Sequence, residues 1–81
     1  MFKNEKIYNI GNIVFYTKEK NNDNHKTVYM RYKKDKFIIL EECRVTKDID
    51  NKTIINIIIP EMIESVFNRL IQYNKINKEY V

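Results

Sequence analysis

Two alternating stretches, residues 27–33 and 37–45, are separated only by Lys34-Asp35-Lys36, and that spacing leaves room for little besides a tight β-hairpin. With Lys34-Asp35 as a two-residue loop, Lys33 faces Lys36, Tyr32 faces Phe37, Arg31 faces Ile38, Met30 faces Ile39 and Tyr29 faces Leu40. One side of the hairpin then carries Val28, Met30, Tyr32, Phe37, Ile39, Cys43 and Val45, an unmixed core face. The other carries Tyr29, Arg31, Lys33, Lys36, Ile38, Leu40 and Arg44. That side mixes aromatic, aliphatic and cationic groups.

Upstream, residues 6–18 hold Ile7, Tyr8, Ile10, Ile13, Val14, Phe15 and Tyr16, broken by Gly11-Asn12. β-branched and aromatic residues at this density read as strand, turn or bulge, strand. Gly11 is the only glycine of the chain, so a glycine-rich phosphate loop is ruled out. Residues 18–26 are wholly polar and Asn-rich, which predicts a flexible loop. His25 sits within that loop as an exposed residue with no nucleophile or carboxylate pattern around it.

Downstream, residues 46–52 read as a second loop with Asp50-Asn51 as turn formers. Residues 53–59 read as a strand, with Ile55, Ile57 and Ile59 on one face and Ile54, Asn56 and Ile58 on the other. Pro60 is expected to open a helix spanning about residues 60–78. Glu61 and Glu64 suit its positive end, and Arg69, Lys75 and Lys78 its negative end. Ile63, Val66, Phe67, Leu70, Ile71 and Asn74 recur at helical spacing and form one apolar stripe, while Ile76 and Tyr80 pack or fray. Strands first and one helix last, without βαβ alternation, give an α+β class: an antiparallel sheet of four to five strands followed by one C-terminal amphipathic helix. One helix covers one face of such a sheet, so the other face calls for a partner.

The whole chain of 81 residues, 1–81, makes one α+β domain. A domain of this size buries only about 60% of the surface its unfolded chain exposes, and small domains often gain stability by oligomerising. Cys43 is the only cysteine, so no intrachain disulfide staples it, and an unpaired thiol points to a reducing compartment. His25 is the only histidine, eighteen residues from Cys43, and no metal or other cofactor is expected. No apolar run approaches the roughly 20 residues of a membrane span. The opening Met1-Phe2-Lys3-Asn4-Glu5-Lys6 has no apolar signal-peptide core, so a cytoplasmic protein with no membrane partner is expected. The net charge of +4 and pI near 9.2 bias the chain towards polyanions.

Three segments carry a family likeness. They are residues 26–33 (Lys-Thr-Val-Tyr-Met-Arg-Tyr-Lys), residues 37–44 (Phe-Ile-Ile-Leu-Glu-Glu-Cys-Arg) and residues 54–67, from the isoleucine run through Pro60-Glu61 to Phe67. The first resembles the aromatic-rich second strand of the Pur-α (PUR) repeat, and the second its third strand. The last resembles the final strand running into the helix, and it is also similar to the PC4 single-stranded-DNA-binding fold. The likeness covers about residues 10–74. It departs from the PUR pattern in the long Asn-rich stretch at 18–26 and in lacking the glycine and serine near the third-strand turn. The resemblance implies a ββββα module that pairs with a second module and binds single-stranded DNA or RNA on a curved sheet face.

The functional expectation rests on Tyr29, Arg31, Lys33 and Lys36 on one sheet face, with Arg44 adjacent. Cations that track phosphates and rings that stack on bases are what single-strand binding needs. Tyr8 or Tyr16 could add rings from the first hairpin. A homodimer is expected, with single-stranded DNA or RNA as ligand. No enzyme is expected: Glu41 and Glu42 are adjacent in a strand and point to opposite faces, and Cys43 lies on the core face. The rival reading is a small phage- or plasmid-type regulator or inhibitor that binds a protein through its sheet edge or apolar face. In a third, Tyr29, Ile38 and Leu40 form the core of a homo-oligomer.

Overall fold

The computed structural model describes residues 5–73. Four antiparallel strands, β1 (Lys6–Ile10), β2 (Ile13–Asn21), β3 (His25–Lys34) and β4 (Phe37–Thr46), form a meander in chain order. One helical run, 51–72 (α1), follows. The class is thus α+β, an antiparallel four-stranded sheet and a C-terminal helix.

Both outer hairpins turn on two residues, and each places its first loop residue in the left-handed region that such loops require. Gly11 does so at φ +59°, with Ile10 opposite Ile13. Asp35 does so at φ 55°, so the β3–β4 loop is Asp35-Lys36 rather than Lys34-Asp35. The expected loop would have forced a lysine into that region, which Asp tolerates better. Lys34 therefore faces Phe37, Tyr32 faces Ile39, Arg31 faces Leu40 and Tyr29 faces Glu42. This is a register two residues from the expected one. Because side chains alternate with period two, every paired residue keeps its expected face, and only Lys36, now in the loop, loses it.

The polar stretch 18–26 is mostly strand. Lys18 pairs with Tyr29, Glu19 with Val28, Lys20 with Thr27 and Asn21 with Lys26, leaving Asn22-Asp23-Asn24 as the connection. Backbone pairing and the Lys26–Glu19 ion pair at 3.4 Å override the low strand propensity of these residues. The short loop is held by Asn22 N–H on the His25 carbonyl at 2.8 Å and by Lys47 Nζ on the Asp23 carbonyl at 3.3 Å.

The strand expected over 53–59 does not exist. Asp50 caps a helix instead, its carboxylate accepting from the Thr53 N–H at 2.8 Å. The chain runs through Asn51–Thr53, a π turn over Ile54–Ile58, and α-helix Ile59–Gln72. The π turn has a physical cause. Pro60 lies inside this helix, where its ring clashes with the carbonyl four residues back and its nitrogen cannot donate. Widening the preceding turn, with the Ile59 N–H on the Ile54 carbonyl, makes room for it. The expected continuation to residue 78, with Asn74, Lys75, Ile76, Lys78 and Tyr80, lies outside the described residues.

The helix covers one side of the sheet. Phe15, Val28, Met30, Tyr32 and Ile39 from the strands meet Ile54, Ile59, Met62, Val66, Phe67 and Leu70 from α1. Each fully buried apolar side chain of this kind contributes about 1.5–3 kcal/mol. Phe15 packs on Phe67 with ring centroids 5.6 Å apart, and on Tyr32 at 6.4 Å. Cys43 and Val45 continue this face, half-buried. At its margin Glu41 Oε1 accepts from Ser65 Oγ at 2.9 Å and Arg69 Nη1 at 3.0 Å, and Arg69 also donates to the Leu40 carbonyl at 3.1 Å. Arg69 thereby occupies part of the open edge of β4. No helix among the described residues is long and apolar enough to cross a membrane.

Candidate binding face

Among the described residues no helix lies on the other side of the sheet. The register sets its side chains in rungs. Ile7, Tyr16, Arg31 and Leu40 form one rung across β1–β4, and Lys18, Tyr29 and Glu42 the next across β2–β4. Between them lies a groove of about 480 Å³, lined by Tyr16, Lys18, Tyr29, Arg31, Leu40 and Glu42, with Glu5 at the mouth of β1.

Each ring in the groove is topped by a cation. The Arg31 guanidinium lies 5.0 Å from the Tyr16 ring centroid, and Lys18 Nζ lies 5.4 Å from that of Tyr29. Such contacts hold long side chains in place by about 0.5–1 kcal/mol at exposed sites. Arg31 also reaches Glu5 through Nη2 at 3.5 Å, and its Nε is buried without a hydrogen-bond partner.

Of the residues singled out from sequence, Tyr29 and Arg31 line the groove. Lys33, opposite Ile38, and Arg44, opposite Thr27, sit on the same face one rung beyond it at either end. From the Lys33 rung to the Arg44 rung is six residues of β3, about 20 Å at the strand rise. Lys36 is not brought there; it lies in the hairpin loop beside Lys34, Asp35 and Phe37. Tyr8 faces the helix side, opposite Phe15, so of the two first-hairpin tyrosines only Tyr16 joins the face.

Lys18, Glu5 and Glu42 belong to the site but were not legible as part of it. The signal for Lys18 was its even spacing from Tyr16, hidden by the polar run that read as loop. Strand residues on this face supply five cations, Lys18, Lys20, Arg31, Lys33 and Arg44. Against them stand Glu5 and Glu42. The other three strand cations, Lys6, Lys26 and Lys34, lie on the helix side, where Lys26 pairs with Glu19, and Arg69 of α1 pairs with Glu41. The face also exposes apolar surface: Leu40 is 67% accessible, Ile7 57% and Ile38 50%.

No family model, curated protein or solved structure matches the chain. Among the described residues no three His, Cys, Asp or Glu side chains cluster as metal ligands.

Proposed function

We propose that the protein binds single-stranded DNA or RNA across the helix-free face of its sheet, as a homodimer, in the manner of PUR- and PC4-like modules. The observation that carries this reading is the placement of charge. Five of the eight strand cations share one face with two tyrosines; Lys18 and Arg31 line the groove, and Lys20, Lys33 and Arg44 lie beyond its ends. Phosphates then track from Lys33 past Arg31 towards Arg44, and a base stacks on Tyr29 as Lys18 leaves that ring for phosphate, a stack contributing about 1–3 kcal/mol. The groove carboxylates Glu5 and Glu42 repel phosphate, which confines the backbone to the cationic rungs.

Fluorescence anisotropy of labelled single-stranded 20-mers at low and moderate salt tests it. Three phosphate contacts, at Lys33, Arg31 and Arg44, predict a slope of log affinity on log salt of about −2. Charge reversal by Arg31→Glu with Lys33→Glu is expected to abolish binding while leaving the circular-dichroism spectrum intact. Absence of binding at low salt ends the reading.

A second reading is favoured by the exposure of Ile38 and Leu40, neighbours on the open face of edge strand β4. That pair suits a protein partner, and binding through it would be insensitive to salt and to the Arg31 and Lys33 substitutions.

A further inference from the structure

Arg31 is under-satisfied where it stands. Its Nη2 meets Glu5 Oε2 only at 3.5 Å, and its Nε is shut from solvent with no partner among the described residues. Nε and Nη2 form the planar edge of the guanidinium that takes an oxyanion in two parallel bonds. The ring of Tyr16 supports one face of the group, at 5.0 Å, so the plane is already oriented for such a ligand. Glu5 supplies one long contact where a bidentate oxyanion would supply two short ones.

Resting on the single-strand reading, we propose that Arg31 is the groove's phosphate receptor and that Glu5 is its internal competitor. A phosphate of the bound strand displaces the Glu5 carboxylate and takes both Nε and Nη2. The exchange asks little of the fold. Glu5 immediately precedes β1, a five-residue edge strand whose residues are exposed except for the half-buried Tyr8. Its start can part from β2 without opening the core. Arg31 sits on inner strand β3, between Tyr16 and Leu40, and stays in register. Glu42 is the matched control. It lines the same groove opposite Tyr29 and makes no ion pair with Arg31.

The experiment is a double-mutant cycle read by anisotropy with a labelled thymidine 20-mer at low salt. Glu5→Gln and Glu42→Gln change net charge equally. Release of a competing ion pair is expected to make Glu5→Gln bind about two- to fivefold tighter than Glu42→Gln. With Arg31→Gln in place, a variant checked for folding by circular dichroism, the extra gain of Glu5→Gln should vanish. Equal gains for the two glutamine variants, or a Glu5→Gln gain that survives Arg31→Gln, would overturn the receptor while leaving single-strand binding intact. If wild type and all variants fail to bind, the single-strand reading falls and the receptor with it.

Discussion

Ile54 and Ile59 lie on the same buried side of α1, at 2% and 3% accessibility, although five residues separate them. Five is the spacing of a π turn, not of an α turn, and the turn that Pro60 imposes is what brings the two isoleucines into line. Ile55 and Ile57 are left exposed at 44% and 51%. A strand would have grouped Ile55, Ile57 and Ile59 on one face. The helix predicts that Ile54→Ala costs about 2–4 kcal/mol, a buried large-to-small change, whereas Ile57→Ala stays within about 0.5 kcal/mol. Urea unfolding of the two variants separates the arrangements, since equal losses would fit a strand covered on both faces and overturn the helical pattern.

That segment also shows where sequence reasoning stops. Five isoleucines in six positions carry strong strand propensity, so local preference points the wrong way there; Pro60 does stand in the first turn of the α-helical stretch Ile59–Gln72, but the run begins earlier, at Asn51. The contrary signal, Asp50 three residues ahead of Thr53, was legible as turn chemistry but serves as the N-cap. The hairpin from Thr27 to Val45 fared better. Its faces survived a two-residue slip because pleat parity did not change. Tyr29 and Arg31 were therefore placed on the open side correctly. Lys36 was lost because a loop residue has no pleat to obey, and Glu5 was not legible because its role depends on a contact 26 residues away.

Asp35 sits at φ 55° as the first residue of the β3–β4 loop. A β-branched side chain is poorly tolerated there, so Asp35→Val is expected to destabilise by about 1–2 kcal/mol. Asp35→Asn should be nearly neutral, since Asn adopts the same conformation readily. Denaturant melts of both variants check this, and an unaffected Asp35→Val protein would mean that the hairpin turns elsewhere.

Hydrogen bonding from the Thr53 side chain, and then from its backbone N–H, holds the Asp50 carboxyl below its ordinary value of 3.8. A depressed carboxyl favours the folded state above its unfolded value and loses that contribution as pH falls through the lower, folded value. Asp50→Asn keeps a good cap but cannot titrate. The stability difference between wild type and Asp50→Asn should therefore be constant above about pH 5 and change only below the ordinary carboxyl value. Thermal melts across the acid range measure it, and a difference that is flat throughout would mean Asp50 does not cap the helix as a carboxylate.

Glu41 joins β4 to α1 through a single oxygen that accepts from both Ser65 and Arg69. Glu41→Ala strips both donors of their acceptor at a half-buried seam, at an expected cost of about 1–2 kcal/mol. Ser65→Ala leaves the Arg69 pair in place and should cost about half as much. The two losses should not add in the double variant, because they share one acceptor. Strict additivity in urea melts would show that the contacts act separately.

Leu40 closes the groove on the β4 side at 67% accessibility, so it contributes little to the monomer's core. Leu40→Asp should change unfolding free energy by no more than about 0.5 kcal/mol. Its effect on association depends on what covers the face. If two copies meet through Ile38 and Leu40, sedimentation velocity should show a dimer for wild type and a monomer for Leu40→Asp, and wild type alone should gain stability with protein concentration. If nucleic acid alone occupies the face, the association state stays the same and only anisotropy responds, because a new carboxylate beside Arg31 repels phosphate. A variant that remains dimeric and still binds the strand at wild-type affinity would remove Leu40 from both roles and move the contact to another part of the sheet.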